Sequence, residues 1–257
     1  MMERDRYILL VDGSTEVCSV ALASEQRGVV SSIFESEKSR QSERLAPMVH
    51  EVMEQSAKEL QEDVQLEGVV VAEGPGSYTG LRIVAGYVKG LCMALGIPLY
   101  TVSTTELMVH TFLARKGSVA EDALLMPMID ARRMEVYSAL YRTDASRVTE
   151  IDALVLNDDA VQERLTHALG TRKGYFFGSG AEKSIELFQK LCPNMEFFAG
   201  IQPDAATLSQ RGFELLKEGT QRDVTYWEPL YLKEYEAKVG VPNKVLQGLE
   251  GNHQVGR

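Results

Sequence analysis

The chain has 257 residues and a formal net charge of −10, with 44% hydrophobic and 25% charged residues. A chain of this length buries a core without a metal or disulfides to hold it, as one large domain or two lobes. The acidic balance, with no basic run, disfavours tight nucleic-acid binding by this chain alone. The three cysteines, Cys18, Cys92 and Cys192, lie outside any CxxC spacing and read as buried thiols of a reducing compartment.

The segment MMERDRYILLVDG lacks the pattern of a cleaved signal peptide, and no apolar run approaches the roughly 20 residues of a membrane span. A cytoplasmic location without membrane contact is expected. The first predicted strand, Tyr7–Val11, closes on Asp12-Gly13-Ser14-Thr15. Val17–Ala23 and Val29–Phe34 follow as further strands, so the sheet begins as antiparallel hairpins. The period then changes: Leu45, Met48, Val49, Val52, Met53 and Leu60 predict an amphipathic helix. Pro47 places its regular start near Leu45, because proline suits only a first turn.

Val69–Ala72 reads as a strand buried on both faces. It leads into the loop Gly74-Pro75-Gly76-Ser77-Tyr78-Thr79-Gly80 and a helix to Leu95, closed by Gly96 and Pro98. Leu99–Val102 is a strand and Ser103–Leu113 a helix. From residue 124 the pattern starts again: Leu124–Ile129, Asp130, a polar turn at Ala131-Arg132-Arg133-Met134, then Glu135–Tyr141. Glu16–Leu22 and Glu135–Leu140 also rhyme, with one gap, as in a duplicated lobe. Helices are predicted at Asp158–Leu169, Ala181–Leu191 and Asp204–Lys217, with a strand at Tyr175–Phe177. The expected fold is α/β with two lobes, residues 1–106 and 107–240, and a frayed tail at 241–257.

Three features bear on chemistry. The Asp12-Gly13-Ser14-Thr15 turn ends a strand where α/β folds bind ligands, and Asp130 holds the equivalent place in the second half. Small hydroxyl residues beside Gly can offer N–H groups to phosphate, and two carboxylates could flank Mg²⁺, which points to a phosphotransferase or ATPase using Asp12, Ser14, Thr15 and Asp130 with Mg-ATP. The same residue types also make an ordinary hairpin turn. The Gly74–Gly80 loop, at a helix N-terminus, could hold an anion but is no P-loop, since GK[ST] is missing; it reads equally as a rigid structural turn with Ser77 or Thr79 as N-cap.

The helix after that loop is apolar on both faces. Leu81, Val84, Ala85, Val88, Leu91, Cys92 and Leu95 form the face toward the sheet, while Ile83, Gly86, Tyr87, Gly90, Met93 and Ala94 lie opposite. Gly86 and Gly90 each cost about 0.8–1.0 kcal/mol against Ala, which implies close approach of another backbone, from this chain or from a partner. Leu45, Val49, Val52 and Met53 of the preceding helix are expected to extend that partner surface. The four histidines form no HxxxH or HExxH, so no metal site is expected, and no GxSxG elbow supports a Ser-His-Asp triad.

The stretches VDGSTEVCSVAL (11–22), GPGSYTGLR (74–82), IDAR (129–132) and EPLYL (228–232) together resemble the TsaB (YeaZ) family, in family order from residue 7 to about 238. The resemblance implies the duplicated ASKHA (actin-like ATPase, ribonuclease H-like) fold. It also implies a role in forming threonylcarbamoyladenosine in tRNA, at the adenosine 3′ of the anticodon. In that family TsaB is a non-catalytic subunit docking on the catalytic paralogue TsaD, joined by the TsaE ATPase. The docking surface is two helices, here Ser42–Leu60 and Thr79–Leu95, which implies a homodimer through the same face when alone. tRNA would then be contacted mainly through partners, with no cofactor of its own; ATP or ADP could sit only at a subunit boundary. Gln41 stands where many relatives have His, and Gly13 replaces a common Thr; both departures argue against nucleotide binding in this lobe. The older glycoprotease-like label finds neither metal ligands nor a nucleophile.

Overall fold

In the computed structural model, which describes residues 5–36 and 41–233, the apolar runs assemble into two five-stranded sheets. The first contains β1 (Tyr7–Asp12), β2 (Cys18–Ser24), β3 (Gly28–Glu35), β4 (Leu66–Ala72) and β5 (Leu99–Val102), in the order β3-β2-β1-β4-β5. The hairpin pairs β1–β2 and β2–β3 are antiparallel, while β4 joins β1 and β5 joins β4 in parallel. The second contains β6 (Leu124–Asp130), β7 (Glu135–Ser138), β8 (Asp152–Val155), β9 (Gly174–Phe177) and β10 (Met195–Phe198), in the order β10-β9-β6-β7-β8. Helices α1 (Gln41–Leu60), α2 (Tyr78–Leu95) and α3 (Thr104–Lys116) interleave with the first sheet. Helices α4 (Asp158–Leu169), α5 (Ile185–Leu191) and α6 (Ser209–Glu218) take the same places in the second half. The chain thus runs βββαβαβα twice, each half with the same strand order: the duplicated, two-lobed α/β arrangement of the ASKHA folds.

Local chemistry sets the boundaries. The Ser77 hydroxyl accepts from the Gly80 N–H and caps α2, and Gly96 ends it in the left-handed region. Ser103 and Asn157 cap α3 and α4 in the same way. Helix α1 starts at Gln41, earlier than Pro47 suggests. A proline at the seventh position forgoes a single hydrogen bond, and the burial of Leu45, Met48, Val49 and Val52 on the first sheet offsets it. The sequence pattern did not foretell β8 and β10. The expected helix at Ala181–Leu191 begins as a 3₁₀ turn, Glu182–Ser184, and the one at Asp204–Lys217 as Ala205–Leu208. Residues 234–257, with the expected tail at 241–257, lie outside the described residues.

The two halves exchange their last helices. On one face of the first sheet, α1 and α2 pack with Leu9, Val11, Val20, Val69 and Val71. Its other face is closed by α6 and the turn before it: Ala205, Leu208, Phe213 and Leu215 pack on Ile8, Leu10, Ala21 and Val70. The Ala205 N–H donates to Ser19 Oγ at 2.9 Å. Reciprocally, Met108, Val109 and Phe112 of α3 fill the second lobe against Leu125, Tyr175 and Phe177, and the Phe112 and Phe177 rings stack at 4.5 Å. Beyond α6 the chain returns to the first lobe, where Trp227, the single tryptophan, is buried beside α2.

Helix exchange couples the lobes. Phe112→Ala should cost about 3–5 kcal/mol and should lower the urea midpoint read by Trp227 fluorescence together with that read by circular dichroism. A Trp227 transition left at its wild-type midpoint would mean that the lobes unfold independently.

Candidate functional site

The strands β1 and β4 end side by side, and the loops that follow them are joined through backbone atoms. The Ser77 N–H donates to the Ser14 carbonyl at 2.6 Å. A Cβ on Gly76 would lie 1.9 Å from that same oxygen, so no other residue fits. A second strand of contacts lies across the loop: Leu230 N–H donates to the Glu73 carbonyl, and Gly74, at φ 113°, is covered by the Leu230 carbonyl, 2.6 Å from where a Cβ would stand. Glu73 receives Trp227 Nε1–H and faces Arg222. The Gly74–Gly80 loop is therefore a built-in structural element, with Ser77 rather than Thr79 as the cap. Of the strap at residues 222–233, only Glu228–Leu232 stands out in the sequence, as a family motif, and its packing was not foreseen.

Asp12 is fully buried. Its Oδ1 accepts from the Ser14 N–H at 3.1 Å and the Ser14 hydroxyl at 2.6 Å, whereas Oδ2 has no partner among the described residues. Burial pushes its carboxyl up to about 7 against the Ser14 hydrogen bonds, and the nearby Asp204 carboxylate adds to the rise. The neighbouring carboxylate is thus Asp204, from the turn before α6, and not Asp130. Asp130 is half-exposed and ion-paired with Lys183, whose ammonium also donates to the Arg133 and Glu135 carbonyls. The expected pair of Asp12 and Asp130 around a cation finds no support: a lysine already supplies the positive charge at the second turn.

Mg-ATP does not fit the first turn either. Ser14 is sealed from solvent, its N–H and hydroxyl are given to Asp12, and the Gly76–Ser77 backbone lies against its carbonyl. Thr15 stands beside the sealed turn, half-buried. One unpartnered oxygen of Asp12 without access to solvent is no coordination set. Among the described residues no three His, Cys, Asp or Glu side chains come together in a way that could hold a metal. Cys18, Cys92 and Cys192 are buried, with thiols raised by burial. A cavity of about 730 Å³ lies elsewhere, lined by α3, α6 and residues 141–150, with Glu106 and Arg211 ion-paired at 3.1 Å in its wall.

The surface expected to meet a partner divides in two. Leu45, Val49 and Val52 of α1 are buried in the first core and are withdrawn from it, because α1 has a single apolar stripe and the sheet covers it. Met53, like Ile83 and Tyr87 of α2, is half-buried against the same core. Gly86, Gly90, Met93 and Ala94 are exposed, Met93 at 68%, and Leu95, expected to face the sheet, joins them at 54%. A Cβ at Gly86 or Gly90 would meet nothing within 4 Å. No segment among the described residues covers this stripe. No helix among them is long and apolar enough to cross a membrane.

Comparison with known proteins locates this architecture. Residues 19–238 match the family model described as TsaD, tRNA N6-adenosine threonylcarbamoyltransferase. The Escherichia coli (strain K12) tRNA threonylcarbamoyladenosine biosynthesis protein TsaB is 29% identical over 92% of this chain and 99% of its own. The Bacillus subtilis (strain 168) protein of that name is 37% identical over 52% of this chain and 55% of its own. A solved structure described as YeaZ from Pseudomonas aeruginosa superposes with a TM-score of 0.71 at 25% identity, over 88% of this chain and all of that one.

The buried Asp12 makes a pH-dependent prediction. Its native pKa, about 7, exceeds the ordinary 3.8, so the folded chain keeps a proton that the unfolded chain releases. The resulting stability is full below about pH 4 and is lost as pH rises to about 7. Between about pH 5 and about pH 8 the wild type should lose about 2–3 kcal/mol more than Asp12→Asn, at roughly 1.4 kcal/mol per unit. Urea titrations of both proteins check this; parallel pH profiles would contradict it.

Proposed function

The chain belongs to the TsaB (YeaZ) family, and we propose that its part in tRNA threonylcarbamoyladenosine biosynthesis is that of a non-catalytic accessory subunit which heterodimerises with TsaD. The observation that carries the reading is the open stripe of α2. Two glycines in a helix interior together cost about 2 kcal/mol relative to alanine, and nothing among the described residues lies close enough to require them. A helix from a partner can approach such a strip closely, with Met93 and Leu95 flanking the contact. The docking lobe is the first, residues 1–106, and the second is 107–240.

The sealed turn at Asp12 and the lysine at Asp130 support a subunit that does no chemistry and holds no cofactor; ATP or ADP would find a place only at the boundary with TsaD. TsaE joins the pair, and tRNA is held mainly by the partners, in keeping with the net charge of −10. Without TsaD the same stripe drives homodimerisation. The location is the cytoplasm.

Gly86→Leu and Gly90→Leu decide the assignment. Both side chains enter open space, so each variant should keep the wild-type Tm or exceed it, as leucine outranks glycine in a helix by about 0.8 kcal/mol. Each should fail to co-purify with TsaD and to support tRNA modification in a reconstituted assay. Wild-type affinity for TsaD in either variant would refute the interface; a monomer at high concentration in sedimentation of the chain alone would refute homodimerisation through it.

A further inference from the structure

In an acidic chain most arginines are expected to find carboxylates, and here Arg6, Arg44, Arg164 and Arg211 do. The guanidinium groups of Arg132 and Arg133, exposed at the tip of the β6–β7 hairpin, make no ion pair with a carboxylate among the described residues, although the Arg132 N–H donates to Asp130 Oδ1 at 3.0 Å. Both have left-handed backbones, at φ 69° and 48°, a region that residues other than Gly, Asn and Asp seldom adopt. Side chains with a Cβ are disfavoured there, so folding gives no reason for two arginines in succession.

The turn is one end of a continuous rim across both lobes. Glu135 N–H donates to the Arg132 carbonyl; Glu135 is ion-paired with Lys233, which lies over the Tyr137 ring at 6.0 Å. Two residues before Lys233, Tyr231 packs on Tyr78 with ring centroids 5.0 Å apart. Arg82 lies over the Tyr78 ring at 5.3 Å and donates to the Tyr78 hydroxyl at 3.2 Å. Lys183 stands behind the turn on Asp130, and Glu228 is the acid beside Tyr231. The rim is thus net positive on a chain that is otherwise acidic, and it interleaves cations with partly exposed tyrosine rings.

We propose that the rim from Arg132-Arg133 to Tyr78, Tyr231 and Arg82 is an RNA-contact surface, the arginines meeting backbone phosphates and Tyr231 offering a face to an unpaired base, a proposal that rests on the tRNA-pathway reading above. Alternating guanidinium groups and aromatic faces suit single-stranded or loop RNA. An acidic protein would use the arginines and leave the tyrosine faces idle. Three phosphate contacts make a small share of the affinity of an assembled complex, so the surface is compatible with weak RNA binding by the chain alone.

The test is salt-dependent binding of a labelled tRNA transcript to the complex of this chain with TsaD, comparing wild type with the double variant Arg132→Gln/Arg133→Gln. Each lost phosphate contact lowers the slope of log affinity against log salt by about 1. Between about 50 and about 200 mM KCl the wild type should therefore lose about 16-fold more affinity than the variant. Tyr231→Ala should weaken binding with an unchanged slope. Arg132→Gly/Arg133→Gly should raise the Tm by relieving the turn and still lose RNA affinity, which a merely structural turn would not do. Identical slopes overturn the proposal. So does a double variant that no longer sediments with TsaD, since the rim would then be a protein contact. If wild-type chain and TsaD form no complex, the accessory-subunit reading fails; the same comparison on the chain alone at low salt then decides this one, a shared slope overturning it.

Discussion

The structure depends on one close approach: the Gly76–Ser77 backbone set against the carbonyl of Ser14, where a side chain has no room and a hydrogen bond of 2.6 Å closes the gap. It joins the ends of two adjacent parallel strands, β1 and β4, and so fixes two loops that could otherwise move separately. The N-terminus of α2 follows directly from the second loop, with Ser77 serving both as clasp and as cap. The direction of α2, and with it the glycine stripe on its outer side, is set by that junction. The same junction seals Ser14 and Asp12 from water. One packing event therefore closes the turn at Asp12 and orients the exposed stripe of α2.

The exchange of α3 and α6 carries the consequence through the molecule. Neither sheet has a complete core without a helix from the other half, so the lobes are bound by apolar contacts rather than by a linker. Ser19 and Ala205, Thr111 and Thr207, and Glu106 and Arg211 add polar ties between the crossing segments. The strap beyond α6 then covers Gly74 and buries Trp227 beside α2. A rigid pair of lobes with a plugged junction suits a protein that presents surfaces, whereas lobes that close on a nucleotide need a free hinge and free donors.

Much of the fold was legible because its signals are local. Caps and stops at Ser77, Gly96, Ser103 and Asn157 bound their helices, and the strand–Asp–turn–strand pattern announced the second half before any contact was known. Strands β8 and β10 were missed because they are four residues long, and exposed or half-exposed residues break their periodicity. The exposed stripe of α2 was half legible. Periodicity identifies an apolar stripe but cannot say what covers it, so Leu45, Val49 and Val52 carried the same signal as residues that face outward. The glycines were more informative, since their cost has no local explanation. The relation of Asp130 to Lys183 and of Asp12 to Asp204 joins residues far apart in sequence, and nothing in spacing anticipates it.

Charge illustrates the same division between what composition states and what position decides. A net charge of −10 is a property of the whole surface, but electrostatic contacts are made within about 8–10 Å at physiological salt. Within that range the sign is set by which cations lack a carboxylate. Lys183 and Lys233 are held by Asp130 and Glu135, and their charges are largely cancelled where they stand. Among the described residues, Arg82, Arg132 and Arg133 form no ion pair of this kind, and Asp130 at the base of the hairpin is held by Lys183 and the Arg132 N–H. An acidic chain can thus carry a local cationic rim without a basic run in its sequence, because the fold assembles the rim from residues far apart in the chain.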